Sequence, residues 1–258
     1  MKQGGFSLLE HSVTMTILSI LICGGVIVSE VSIDNHKKNE TIKKMLVIEK
    51  AIIAYSLKTI ARSNFLSTHF LCPASPEIII NHSEFGKELK GNNCLAYDGV
   101  IKKQNYYFGV VPIRTLELPD YYMFDGWGRR LSFIVNTNMK NNLTQKLYYI
   151  ISHGTNGKGA YNRDGFQIPV SGNIAEKNNS NVADNYQNIS DFAITPEFDD
   201  IVKGKSYITL VRDITGGILL NKALCKILNL NTLPYSNCSL LKSKIQTLCH
   251  EKIEHLTY

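Results

Sequence analysis

A run of mainly apolar residues extends from Phe6 to Val28, directly after a short polar leader that ends at Gly5. The length of this run is the strongest constraint on the fold. A helix over it would be about 36 Å long at roughly 1.5 Å per residue, and a membrane hydrocarbon core is about 30 Å thick. The sequence therefore predicts a transmembrane helix over residues 6–33.

One carboxylate, Glu10, interrupts the apolar run near its start. An ionised side chain costs about 2.5–3.5 kcal/mol at the centre of a membrane helix and less near an end. Two interpretations account for its presence. In a plain membrane anchor the side chain would reach the headgroups, whereas in an assembling subunit a cation from a neighbour would compensate its charge.

The segment from Gly5 to Glu10, Gly-Phe-Ser-Leu-Leu-Glu, resembles the N-terminus of type IV pilins and type II secretion pseudopilins. The resemblance implies that a prepilin peptidase cuts after Gly5 and removes residues 1–5 as a leader peptide. It also implies that the new amino terminus, Phe6, is N-methylated. Glu10 would then pair with the α-amino group of a neighbouring subunit during assembly.

The same resemblance implies a function, a cellular location and a set of partners. The chain would be a prepilin-like structural subunit that assembles into a pseudopilus or a type IV pilus for protein secretion. It would cross the bacterial inner membrane once, with its globular domain in the periplasm or in an extracellular filament. Its partners would be prepilin peptidase, other pilin or pseudopilin subunits, the secretion or pilus assembly machinery and the inner membrane. The sequence does not distinguish a type II secretion system from a type IV pilus or a competence system.

The helical pattern continues beyond the apolar run. Apolar side chains recur at spacings of three, four and three residues, at Met45, Ile48, Ile52 and Tyr55. Such spacing places them on one face of a helix. A long N-terminal helix is therefore predicted, with its first half in the membrane and its second half packed on a globular domain.

Three segments typical of β-strands follow, at residues 106–111, 131–135 and 147–151. Short connections between such strands favour an antiparallel sheet, and a helix on one face of that sheet gives an α+β fold. The pilin resemblance implies the same arrangement. The predicted organisation is a leader at 1–5, a transmembrane helix at 6–33, a pilin-like globular domain at 34–205 and a C-terminal cysteine-containing extension at 206–258.

The chain contains six cysteines, and one of them, Cys23, lies in the apolar run. The wide spacing of the others, without a Cys-x-x-Cys pair, argues against a zinc site and indicates disulfides in an oxidising compartment. The disulfide candidates are Cys72, Cys94, Cys225, Cys238 and Cys249. A bond between Cys72 and Cys94 would close a loop of roughly 20 residues, worth about 3 kcal/mol. The pairing among the last three stays open.

The segment Asp125-Gly126-Trp127-Gly128 contains the only tryptophan of the chain. It resembles the Asp-Pro-Trp-Gly turn of major pseudopilins, with Gly126 in place of the proline. Asp125 is predicted to cap the turn with its side chain, and Gly128 allows a positive φ. Trp127 is predicted to close one end of the core. We therefore assign Asp125, Trp127 and Gly128 a structural role.

The loop that begins at Ser152 reads Ser-His-Gly-Thr-Asn-Gly-Lys-Gly-Ala, and its glycine spacing does not fit a phosphate-binding P-loop. It is similar to the Ser-x-Gly-x-Asp-Gly loop of major pseudopilins, which binds calcium together with acids later in the chain. Calcium prefers about six to eight oxygen ligands. Here Lys158 and Arg163 lie close to Asn156 and Asp164. We therefore predict no cofactor and no metal, with calcium as the alternative.

An enzyme is a different class of function for this chain. Ser152, His153 and Asp164 could form a hydrolase triad, but successive residues of a strand point to opposite faces of the sheet. No nucleophile-elbow or metalloprotease motif accompanies them. The sequence therefore predicts a protein that is not an enzyme.

The net charge is +6, and no run of five or more like charges occurs. A modest, dispersed positive charge is typical of a solvated surface, so nucleic acid is not expected as a partner. The alternative function is a pilin-like binding module for DNA uptake or adhesion, with the basic globular domain as the ligand surface. A steep salt dependence of DNA affinity would favour that alternative.

Overall fold

The computed structural model describes residues 8–62, 70–88, 94, 99–136, 146–170, 173–181, 183, 189, 198–206, 209–210 and 212–213. The predictions for Gly5, Phe6, Cys225, Cys238 and Cys249 lie outside these residues. The same holds for the leader and for nearly all of the extension at 206–258.

One long helix, α1 (Leu8–Arg62), begins the described chain and contains 55 residues. Its second part packs on the globular domain through the face predicted from the three-four-three spacing. Met45, Ile48 and Ile52 are fully buried there, in one apolar cluster with Phe133 and Val135 of the sheet. The periodic apolar face therefore fixes how α1 lies on the domain.

The first part of α1 has a different environment. Apolar side chains at residues 13, 15, 17, 18, 31 and 33 are each at least half exposed: Val13, Met15, Ile17, Leu18, Val31 and Ile33. At about 1.5 Å per residue, the helix between residues 8 and 33 is roughly 38 Å long. The described residues of the domain therefore leave these six side chains at least half exposed.

The membrane assignment made from the sequence is wrong. Within the described residues, the structure contains no helix that is sufficiently long and apolar to cross a membrane. Polar residues interrupt residues 11–19, and charged residues recur from Asp34 onward. This finding overturns the transmembrane helix at residues 6–33 and the single-pass location in the bacterial inner membrane.

A five-stranded antiparallel sheet follows α1, with the strands side by side in chain order. The strands are β1 (Ile101–Lys103), β2 (Tyr106–Val110), β3 (Ser132–Asn136), β4 (Lys146–Ser152) and β5 (Ile201–Ser206). A short 3₁₀ helix at Asp120–Met123 lies between β2 and β3, and a short helix, α2 (Ile174–Asn178), lies between β4 and β5. The described chain thus has the predicted α+β class, with a helix followed by an antiparallel sheet.

Both faces of the sheet are covered. Phe133 and Val135 of β3 point into the cluster beneath α1, whereas Ile134 belongs to a second cluster with Phe108 and Tyr161. Successive side chains of a strand point to opposite faces, so this alternation is expected. Every residue of β2 and β3 is buried as a result.

Candidate functional site

The turn between the 3₁₀ helix and β3 is built around the carboxylate of Asp125. Its Oδ1 accepts hydrogen bonds from the backbone N–H groups of Trp127 and Arg129, both at 2.9 Å. Its Oδ2 accepts one from the Ser152 hydroxyl at 2.8 Å. Burial raises the pKa of Asp125, and these hydrogen bonds oppose that shift. The carboxylate caps the turn locally and ties it to the end of β4.

The turn is joined to α1 through Asp34. Its Oδ1 accepts hydrogen bonds from Trp127 Nε1 at 3.0 Å and from the Thr155 hydroxyl at 2.9 Å. The Trp127 side chain is half-buried against α1, and it belongs to neither of the two buried clusters of the sheet. Trp127 therefore links the turn to the helix, and its closing one end of the core stays a prediction.

The closest approach of the turn to α1 is at Gly126. Its N–H donates to the Thr41 hydroxyl at 2.8 Å, and a Cβ built on Gly126 would lie 2.2 Å from the Lys37 carbonyl oxygen. A proline here would lose the donor and add atoms where the helix backbone already lies. This contact explains why glycine occupies the position where the resembling turn has proline.

An open cleft of about 470 Å³ lies between α1 and this turn. It is lined by Ile33, Asp34, Lys37, Trp127, Arg129 and Thr155. The Arg129 guanidinium donates to the backbone carbonyls of Gly154 and Thr155. We call this feature the α1 cleft. It combines an aromatic ring, an aliphatic side chain and two cationic groups on one surface.

The disulfide candidates are placed as follows. Cys72 and Cys94 form a disulfide across a separation of 22 residues, which is one of the pairings that the sequence allows. Both are buried beside Val100 and Tyr107. The bond therefore ties the segment after α1 to the β1–β2 edge of the sheet.

A buried polar cluster lies beneath the loop that follows β4. Ser132 Oγ and His153 Nε2 are 2.9 Å apart, and His153 Nδ1 lies 4.0 Å from Asp200 Oδ2. Asn179 Nδ2 donates to Asp200 Oδ2 at 2.8 Å. Burial lowers the pKa of His153 to about 4 and raises the pKa of Asp200 to about 8. Both shifts follow because a buried site disfavours the charged form of either group.

Ser132, His153 and Asp200 are neighbours in space, as in a hydrolase triad, but the 4.0 Å between His153 Nδ1 and Asp200 Oδ2 is too long for a hydrogen bond. Ser132 and His153 are also both 0% exposed, so a substrate has no access to this hydroxyl in the structure. The three residues weighed from the sequence are not brought together either. Ser152 donates to Asp125, and Asp164 lies in an exposed turn. The cluster therefore acts as a hydrogen-bonded part of the core.

The acids near the loop that resembles the calcium loop of major pseudopilins accept hydrogen bonds from other side chains. Asn156 Nδ2 donates to Glu176 Oε1 and to Asp199 Oδ1, both at 2.7 Å. Lys158 Nζ lies 3.6 Å from Glu176 Oε2. In the described part of the chain, no three His, Cys, Asp or Glu side chains are grouped so that they could hold a metal ion. The Asn156 amide and the Lys158 ammonium group thus contact the carboxylates that a cation would need as ligands.

Sequence reasoning missed Arg130, whose side chain is fully buried. Its guanidinium donates to four backbone carbonyls: Asn162 at 3.0 Å, Pro76 at 2.8 Å, Ile78 at 2.7 Å and Arg163 at 2.8 Å. The signal in the sequence is a basic residue directly before an apolar strand. Arg130 therefore joins the segment after α1 to the loop after β4.

Comparison of the chain with protein-family models, with curated proteins and with solved structures finds no match.

Proposed function

We propose that this chain is a pilin-like structural subunit that polymerises into a pseudopilus or type IV pilus serving protein secretion. The observation that carries the proposal is the division of α1. Its second part is buried on the sheet, whereas its first part presents apolar side chains that are at least half exposed. Burial of such a face against the equivalent helices of other copies would be favourable, at about 25 cal/mol per Å² of apolar surface.

The resemblance at the N-terminus supplies the chemistry of assembly. Prepilin peptidase would cut after Gly5 and leave Phe6 as an N-methylated amino terminus. That cation would pair with Glu10 of a neighbouring copy, because a carboxylate in an apolar interface requires a partner of opposite charge. Glu10 lies in the first turns of α1, at the end of the helix that is farthest from the globular domain.

The test is co-expression of the full chain with a prepilin peptidase, with Gly5→Ala as the uncleavable control. We expect an intact mass that corresponds to a chain starting at N-methylated Phe6, together with filaments that sediment and are visible by electron microscopy. Gly5→Ala should remain uncut and fail to sediment. An uncut wild-type chain, or a cut chain that stays monomeric, would overturn the proposal.

A matched pair of substitutions tests whether the first part of α1 is the polymerising surface. Ile17 and Ile79 are equally exposed, at 54% and 55%, but only Ile17 lies on α1. Ile17→Asn should raise the concentration needed for polymerisation by about tenfold, since it places an amide in an apolar interface. Ile79→Asn should leave that concentration unchanged. Equal effects of the two substitutions would argue against an interface formed by α1.

A further inference from the structure

The turn at residues 162–166 presents exposed side chains on the surface of the domain, and we call it the knob. The backbone N–H groups of Asp164 and Phe166 both donate to Asn162 Oδ1 at 2.9 Å. At its tip the Phe166 side chain is 73% exposed. The carboxylate of Asp164 is exposed beside it, and its charge also acts on the buried Arg130. The tip therefore offers an aromatic ring and an exposed negative charge.

The base of this turn is fixed to the domain. The buried Arg130 donates to the carbonyls of Asn162 and Arg163. The Arg163 guanidinium lies over the Phe124 ring, 5.1 Å from its centroid. A preorganised surface loses little conformational entropy on association. The knob is thus suited to insertion into a complementary surface.

The α1 cleft has the complementary character. Its Lys37 ammonium group has no ion-pair partner among the described residues. Arg129 is held by backbone carbonyls, and its charge also acts on the buried Asp125. The lining thus contains two cationic side chains and one carboxylate, that of Asp34, which accepts two hydrogen bonds from neutral donors. The cleft can therefore accept an acidic group, with Trp127 and the half-exposed Ile33 as its apolar walls.

The knob and the α1 cleft lie beside different positions along the axis of α1. The cleft ends at Lys37, where Gly126 meets the helix. The knob lies beside Phe124, whose carbonyl accepts a hydrogen bond from Lys44 Nζ at 3.0 Å. Seven residues of helix separate these two positions, which corresponds to about 10 Å. A contact between the knob of one copy and the cleft of another therefore requires the two copies to be displaced by about this distance along the helix axis.

We propose that the 162–166 turn of one copy inserts into the α1 cleft of a second copy, with Asp164 facing Lys37 and Arg129 and with Phe166 against Trp127 and Ile33. This contact joins two different surfaces of the same chain. Repetition of such a contact produces an open filament unless the rotation closes a ring. The inference rests on the proposed function and assigns the domain surfaces that the polymer would use.

Cysteine cross-linking tests the contact in the full chain. Ile33→Cys and Phe166→Cys are prepared as separate proteins, mixed, allowed to polymerise and oxidised. The bonded peptides are then identified by mass spectrometry. The matched control replaces Phe166→Cys with Ile174→Cys, because Ile174 is equally exposed at 74%. We expect the bond between positions 33 and 166 in at least about tenfold excess over the bond between 33 and 174.

Charge reversal provides a second readout. Asp164→Lys should weaken polymerisation by about tenfold, since it places a like charge at the cleft. Lys37→Glu in the same chain should restore it. Filaments that form without the 33–166 bond, or that favour a bond between two copies of position 33, overturn the contact alone. A processed chain that never polymerises overturns both this inference and the proposed function.

Discussion

The indole Nε1 of Trp127 donates a hydrogen bond to Oδ1 of Asp34 at 3.0 Å, across 93 positions of sequence. Asp34 lies on α1 just after Ile33, the last of the half-exposed apolar residues in its first part. The Thr155 hydroxyl donates to the same oxygen. These two hydrogen bonds therefore hold the globular domain on α1 at the point where the helix leaves it.

We expect Asp34→Ala to reduce the free energy of unfolding by about 1 kcal/mol, since the hydrogen bonds to its carboxylate are only half-buried. Trp127→Phe removes the indole donor and should cost a similar amount. The double variant should be less destabilised than the sum of the two, because both substitutions remove the same hydrogen bond. Urea unfolding of the four proteins measures this coupling, and strictly additive effects would show that the bond contributes nothing.

Sequence patterns predicted the helix and strands whose apolar residues recur at regular spacing. The apolar face of α1 and the strands β2, β3 and β4 could be predicted because burial against the core imposes that period. The two edge strands were missed for a physical reason. β1 has three residues, two of them lysine, and β5 contains Lys-Gly-Lys. Such residues protect a sheet edge from pairing with other chains and carry little β signal.

The candidate site was predictable only where its contacts are local. Asp125 bonds to residues two and four positions away, and that pattern is recognisable in a sequence. Asp34 and Arg130 have partners 93 and 52 residues distant. Only the folded chain brings these groups together. A polar residue in such a position has no local pattern that distinguishes it from an exposed one.

Two glycines of the same turn should respond differently to alanine. Gly126 has an ordinary φ, but its Cβ would lie 2.2 Å from a carbonyl oxygen of α1. Gly126→Ala should therefore cost about 3 kcal/mol through displacement of the helix. Gly128 has a φ of +81° and open space around it, so Gly128→Ala should cost only about 1 kcal/mol of backbone strain. Thermal unfolding gives both values, and a larger loss for Gly128→Ala would contradict the close approach to α1.

The Cys72–Cys94 disulfide should stabilise the domain mainly by restricting the unfolded chain. Its removal by Cys72→Ser with Cys94→Ser should lower the free energy of unfolding by about 3 kcal/mol, as expected for a loop closed across 22 residues. Denaturant unfolding of the wild-type chain with and without a reductant is the matched control. If the reductant destabilises the double variant as much as the wild type, the effect arises from a different bond.

The buried pair His153 and Asp200 determines in which direction the free energy of unfolding changes with pH. The pKa of Asp200 rises from 3.8 to about 8 on folding, so between these values the folded state holds a proton that the unfolded state has lost. This contribution makes stability fall as pH rises. The pKa of His153 falls from 6.5 to about 4, so between these values the unfolded state holds the extra proton, and stability rises with pH. Between about pH 4 and 6.5 the two contributions cancel. Between about pH 6.5 and 8 only the contribution of Asp200 remains.

Between about pH 6.5 and 8, this pair should therefore lower the free energy of unfolding by about 1.4 kcal/mol per pH unit. Asp200→Asn keeps the shape and the acceptor for Asn179 but has no proton to lose, so it should remove this slope and be more stable than the wild type at pH 8. Below about pH 6.5 the variant should lose stability as pH falls, because His153 then acts alone. Asp199→Asn removes a neighbouring charge that helps to raise the pKa of Asp200, so it should keep a falling slope and move the upper end of that slope to lower pH. Urea unfolding across this pH range distinguishes the three proteins, and an unchanged slope in Asp200→Asn would show that Asp200 is already ionised in the folded chain.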